Sequence, residues 1–137
     1  GMTGVIHFLN DVLIAHANPA SQSRYILQIN GTEEEQRGSG IWISSASGST
    51  GAILSSGGKA QAPGSRDIQY RPRELYRGWT NEAYRFCGGI LPPETKISLT
   101  SLMAEGMIFI DGSHLRIPFR VSETAEIRQS EYPLRVL

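Results

Sequence analysis

The 137 residues make a chain of one-domain length, and 13 Lys+Arg balance 13 Asp+Glu to a formal net charge of zero. A chain of this size buries about two-thirds of its unfolded surface, enough for one ordinary core, while the even charge balance argues against broad neutralisation of nucleic-acid phosphates. No run approaches the roughly 18 apolar residues of a membrane helix. The single cysteine, Cys87, leaves no internal disulfide or Cys-built zinc centre and fits a reducing, cytoplasmic setting.

Gly1 before Met2 reads as the remnant of a cleaved tag, and no signal-peptide pattern follows it. Val5 to Ala15 reads as one or two buried strands interrupted by the polar pair Asn10-Asp11. Arg24 to Ile29 is a further strand, closed by the turn signal Asn30-Gly31. Glu33-Glu34-Glu35 reads as a solvated loop, and Ile41-Trp42-Ile43 as a short strand. Ser47 to Ser56 reads as the one helix: Ser47-Gly48-Ser49-Thr50 offers N-cap chemistry and Gly57-Gly58 a stop. Ala60 to Arg77 is polar and Arg-rich, an irregular excursion with a strand near Ile68-Tyr70. Strands then resume over Thr95 to Leu102, Gly106 to Ile110, Leu115 to Val121, Ala125 to Ser130 and Leu134 to Leu137, with Asp111-Gly112 as a hairpin turn. Short strands punctuated by 15 Gly and 7 Pro predict a mainly β fold, a two-sheet β-sandwich-like domain with one short helix.

Two features could carry chemistry. Arg37 to Gly58, RGSGIWISSASGSTGAILSSGG, takes a strand through a Ser/Gly turn into a helix start, where backbone N–H groups can meet a polar ligand. It has neither the Gly-Lys-[Ser/Thr] of a P-loop nor G-x-G-x-x-G, and by spacing alone a plain tight strand-to-helix turn is the favoured reading. Asn10-Asp11 is either a ligand-facing pair at a strand end or a bulge between two strands, since polar side chains within an apolar strand are costly unless paired. His7, His16 and His114 show no ligand spacing. Arg66, Arg71, Arg73, Arg77 and Arg85 are interleaved with Asp67, Glu74 and Glu82 and read as a mixed-charge surface, and Trp79, Tyr84 and Phe86 as core or interface anchors.

Taken together, these segments resemble a known family. Leu9-Asn10-Asp11-Val12 resembles the Asn-Glu/Asp motif of NAD kinases, and Gly38-Ser39-Gly40 through Gly57-Gly58 is similar to their G-D-G-L-I-x-x-T-P-T-G-S-T-A-Y-x-L-S-x-G-G signature. Asp111-Gly112 is similar to their late Asp-Gly turn, and Ser130-Glu131-Tyr132-Pro133-Leu134-Arg135 to their terminal S-x-x-P-L-R. The matches fall in the family's order.

The resemblance implies that residues 1–137 form one domain, the C-terminal NAD-binding and oligomerisation domain of an NAD kinase. The N-terminal domain that carries Gly-Gly-Asp-Gly-Thr and the catalytic Asp is absent from these residues. Full-length members phosphorylate the adenosine ribose 2′-hydroxyl of NAD to give NADP, using ATP or polyphosphate and a divalent cation such as Mg²⁺. By this likeness Asn10, Asp11, Ser47, Gly48, Ser49, Thr50 and Gly51 contact NAD, with Ser39, Ala52 and Asp111 as further candidates. No catalytic or metal-ligating residue is expected in this chain. The expected partners are NAD or NADP, the missing domain and further copies in a dimer or tetramer. Ser39 stands where the signature has Asp, removing a carboxylate from the nicotinamide side. Gly51-Ala52 replaces Ala-Tyr, removing an aromatic wall. Two other readings compete: a non-catalytic dinucleotide-binding or oligomerisation module, and a relative of diacylglycerol- and sphingosine-type lipid kinases.

Overall fold

A computed structural model describes residues 4–78, 83–112 and 115–130. The expected strand Leu134 to Leu137, the terminal motif beyond Ser130, Trp79, Glu82 and His114 lie outside the described residues.

The chain forms β1 (Asp11–His16), β2 (Ser23–Ile29), β3 (Thr32–Gly38), β4 (Ile41–Ser44), α1 (Ala52–Ser55), β5 (Ile68–Pro72), β6 (Gly89–Leu91), β7 (Ile97–Ser101), β8 (Gly106–Ile110), β9 (Leu115–Phe119) and β10 (Thr124–Ile127). They build two antiparallel sheets, one of order β6-β5-β4-β1-β8-β9 and one of order β10-β7-β2-β3. Period-two alternation supplies one apolar face to each sheet. Val12 and Ile14, Ile41 and Ile43, Ile68 and Tyr70, and Ile110 from the larger sheet enclose a common core with Tyr25, Leu27, Ile29, Ile97, Leu99 and Ile127 from the smaller. The mainly β sandwich with one short helix is therefore the fold that the sequence predicts.

Three local expectations are corrected. The first strand begins at Asp11 rather than Val5; Val5, Ile6 and Leu9 are exposed. Glu33-Glu34-Glu35 is not a loop but the middle of β3. Its charges are satisfied on both faces: Glu35 pairs with Arg37 at 3.0 Å and Arg24 at 3.7 Å, while Glu34 accepts the backbone N–H groups of Arg85 (2.6 Å) and Phe86 (3.2 Å). Gln36 extends that inner network. It donates to Glu34 and to the carbonyl of Phe86, and accepts from the buried Tyr25 hydroxyl at 2.7 Å. The helix is only Ala52–Ser55; Gly51 caps it without a side-chain hydrogen bond, because residues 45–51 form a run of tight turns instead. At the sheet edge, Gly89–Leu91 adds β6, a short strand that the sequence reading did not mark, paired with β5.

The turn signals hold. Asn30 and Gly31 both adopt left-handed backbone between β2 and β3, as do Asp111 and Gly112 between β8 and β9. Three arginines of the excursion donate to separate backbone carbonyls distant in sequence: Arg71 to Ser56, Arg73 to Ser39 and Arg66 to Ser130. Phe86 packs against the core and meets Tyr70 edge-on, with ring centroids 6.5 Å apart.

Candidate functional site

Sheet order determines which sequence motifs meet. β1 lies between β4 and β8 and runs antiparallel to both, with Asp11 opposite Ser44 and Val12 opposite Ile110. The segment that enters β1 therefore sits beside the segments that leave β4 and β8. Asn10-Asp11, the Ser45–Gly51 turn and Asp111-Gly112 converge at this end of the larger sheet.

Hydrogen bonds lock the three together. The Asp111 carboxylate accepts three successive backbone N–H groups: Leu9 at 2.9 Å, Asn10 at 2.7 Å and Asp11 at 3.1 Å. Asp111 N–H returns a bond of 2.9 Å to the Asp11 carbonyl. This explains why the apolar lead-in is not a strand, since its last N–H groups are taken by a side chain. On the other side, Ser45 donates its hydroxyl to the carbonyls of Leu9 (2.5 Å) and Asn10 (3.3 Å), and its N–H bonds Asn10 at 3.0 Å. Gly48 lies directly on the Asn10 backbone; a Cβ there would come within 2.2 Å of the Asn10 carbonyl oxygen.

The candidates divide by what they present. Asn10, Ser47, Thr50, Gly51 and Ala52 are exposed, and Asp11 and Asp111 are half-buried. Ser49 is fully buried; its hydroxyl donates to Ala46 at 2.7 Å and accepts Gln61 N–H at 2.8 Å, so it braces the turn. Sequence reasoning missed Ser45, which carries no distinguishing pattern in a serine-rich run. It also missed Gln69, whose amide bonds both backbone groups of Lys59 and so fastens the chain beyond α1 to β5. Ser44, opposite Asp11, is fully buried with a hydroxyl that finds no partner among the described residues.

Ser39 does not join this cluster. It precedes β4, beside the far end of β1, where its hydroxyl donates to Glu74 at 3.0 Å. A cleft of about 460 Å³ opens there. A shallower concavity of about 330 Å³ on the smaller sheet, bordered by Gln28, Glu94 and Lys96, holds none of the candidates.

Burial raises the Asp11 carboxyl above its ordinary value, and the neighbouring negative charge of Asp111 adds to the effect. The ionised form is thus disfavoured in the folded state, and the folded chain gains stability relative to the unfolded one as pH falls through the raised value. Asp11→Asn, permanently neutral, is expected to be more stable than the native chain at pH 7. That advantage should shrink on acidification and close by about pH 3, below the ordinary carboxylate range. Urea unfolding at a series of pH values measures it; a pH-independent difference would refute the assignment.

No protein-family model matches the chain. Among curated proteins, it is similar to a probable NADH kinase of Oryza sativa subsp. japonica, with 30% identity over 136 residues, covering 94% of this chain and 41% of that relative. Among solved structures, its fold is similar to the crystal structure of an NAD kinase from Archaeoglobus fulgidus in complex with ATP (TM-score 0.74, 24% identity), covering 92% of this chain and 47% of the other. It is similar also to yeast NADH kinase complexed with NADH (TM-score 0.71, 20% identity), over 85% of this chain and 33% of the other. The chain thus spans less than half the length of the relatives it matches. Along nearly its whole length the chain is thus similar in sequence to part of a probable NADH kinase, and in fold to part of an NAD kinase and of an NADH kinase.

Proposed function

We propose that this chain is the β-rich C-terminal part of a divergent NAD(H) kinase and supplies much of its dinucleotide site. One observation carries the reading. Asn10-Asp11, the Ser45–Gly51 turn and Asp111-Gly112, three of the segments on which the resemblance rests, are joined by hydrogen bonds at one end of one sheet. In this reading Asn10 and Thr50 hydrogen-bond the adenosine half of the dinucleotide, Ser47 and Gly51 border it, and Asp11 steadies Asn10. Their work is orientation: they hold the ribose hydroxyl for in-line attack on a phosphoryl donor, ATP or polyphosphate.

The phosphate contacts, the catalytic Asp and the divalent cation belong to an N-terminal domain in this reading. Among the described residues no three of His, Cys, Asp and Glu converge as a metal site, so no step is assigned to a cation held here. The same reading makes the working protein a cytoplasmic homo-oligomer and leaves this fragment inactive alone. The three relatives named above, NAD or NADH kinases, favour it over the lipid-kinase alternative.

Calorimetric titration of the chain with NAD, NADH, NADP and ATP tests the proposal. Saturable binding of a dinucleotide is expected, weakened at least about tenfold in both Asn10→Ala and Thr50→Ala, the equivalent of one well-placed hydrogen bond each. Unchanged affinity in both variants, or no dinucleotide binding by the native chain, would overturn it.

A further inference from the structure

One row of polar residues crosses the outer face of the larger sheet where the three segments converge. Asp11 of β1 stands opposite Ser44 of β4, and Ser44 stands opposite Gln69 of β5. Residues so opposed share a face of the sheet, while their neighbours Val12 and Ile43 turn the other way into the core. Ser44 is fully buried, Gln69 nearly so, and Asp11 is half-buried.

Two of the three groups lack partners. The Gln69 amide is committed to both backbone groups of Lys59, each at 2.8 Å, and to Gln61 Oε1 at 3.2 Å. The Ser44 hydroxyl has no hydrogen-bond partner among the described residues, and neither has the Asp11 carboxylate. One is a donor and the other an acceptor. Their Cβ atoms, directly opposed, lie roughly 4.5–5.5 Å apart, so rotation about the Ser44 Cα–Cβ bond closes the gap with no backbone movement. Both groups gain by it. A buried hydroxyl left unpaired is costly. For Asp11, burial disfavours the ionised form and the described part of the β8–β9 hairpin adds the negative charge of Asp111, while β4 and the Ser45–Gly51 turn bring no charge.

We propose that Ser44 is a positioning residue of this site: its hydroxyl donates to the Asp11 carboxylate and fixes that group beside Asn10. The inference rests on the dinucleotide reading for the purpose of the bond, not for its existence.

A ¹³C NMR titration of the side-chain carboxyls tests it. The chain has three aspartates, Asp11, Asp67 and Asp111, and the signal lost in Asp11→Asn assigns the first. In Ser44→Ala the Asp11 midpoint is expected to rise by about one pH unit, a tenfold gain in proton affinity, with Asp67 unmoved. The urea midpoint should fall at pH 7, and its difference from the native chain should narrow towards about pH 3 as Asp11 is protonated. An unmoved Asp11 midpoint would overturn the proposal. So would a Ser44→Ala chain at least as stable as the native one at pH 7, the result of deleting a hydroxyl that bonds nothing. Should that variant fail to fold, the native chain decides: the Ser44 Cβ shift should follow the Asp11 midpoint, and a Ser44 signal indifferent to pH would overturn the bond. None of these readings needs a ligand, so an absence of NAD binding would count against the dinucleotide reading and leave the bond standing. Where NAD binds, Ser44→Ala should weaken it at least about threefold, and unchanged affinity would overturn the positioning role.

Discussion

Gly48→Ala is expected to abolish dinucleotide binding and to destabilise the fold by about 3 kcal/mol. The added Cβ would lie 2.2 Å from the carbonyl oxygen, 2.6 Å from the carbonyl carbon and 3.0 Å from the Cα of Asn10. All three are backbone atoms, so no rotamer change relieves the overlap. Either the Ser45–Gly51 turn or the entry to β1 must move, and each is a wall of the proposed site. Gly51→Ala is the control for stability, because its Cβ would meet nothing closer than the Gly48 carbonyl oxygen at 3.4 Å. Urea unfolding of both variants measures the contrast, and calorimetry of Gly48→Ala measures the loss of binding. A Gly48→Ala protein with the native midpoint and native affinity would mean that the two segments are not in contact.

The second large effect is expected at Asp111. Its two carboxylate oxygens accept the N–H groups of Leu9, Asn10 and Asp11, so Asp111→Ala removes three charge-assisted bonds at once. Partial exposure lets water replace some of them, and the expected loss is about 2 kcal/mol rather than the sum of three. Affinity for NAD should fall at least about tenfold, because Asn10 loses the bond that fixes its backbone. Asp111→Asn should lie between the two, since its amide nitrogen cannot accept. Asp111→Gly separates the contributions of side chain and backbone: it suits the left-handed conformation at φ 48° but lacks the carboxylate. Unfolding midpoints in the order native, Asn, Ala are the expected result; equal midpoints would show that the carboxylate does not hold the entry to β1.

What the sequence revealed depended on how local each signal was. Alternation in Ser23–Ile29 and Ile97–Ser101 is legible because one face of each strand enters the core. The turns Asn30-Gly31 and Asp111-Gly112 are legible because a left-handed pair has few residue choices. Glu33-Glu34-Glu35 misled because only the Arg37 partner of Glu35 is near in sequence; Arg24 on one face and the backbone of Arg85 and Phe86 on the other are distant. Val5 to Leu9 misled in the opposite sense: it has strand composition, but Asp111 captures N–H groups at its end. At the site, the residue types of Asn10, Thr50 and Asp111 suggested polar contacts from the start. Their proximity was not legible, since only the β4-β1-β8 order brings them together. Nor could spacing separate the exposed Thr50 from the buried Ser49 beside it.

The Asp111 clasp also bears on how the site comes into being as the chain is made. It ties together residues 100 to 102 positions apart, and β1 has β8 as a direct neighbour. Contacts of such separation form late, because the intervening chain must first be ordered. During synthesis, the Ser45–Gly51 turn can form soon after it leaves the ribosome, yet the Asn10 backbone stays unanchored until β8 and Asp111 have emerged. In the proposed reading, a dinucleotide therefore meets a complete site only once the sandwich has closed.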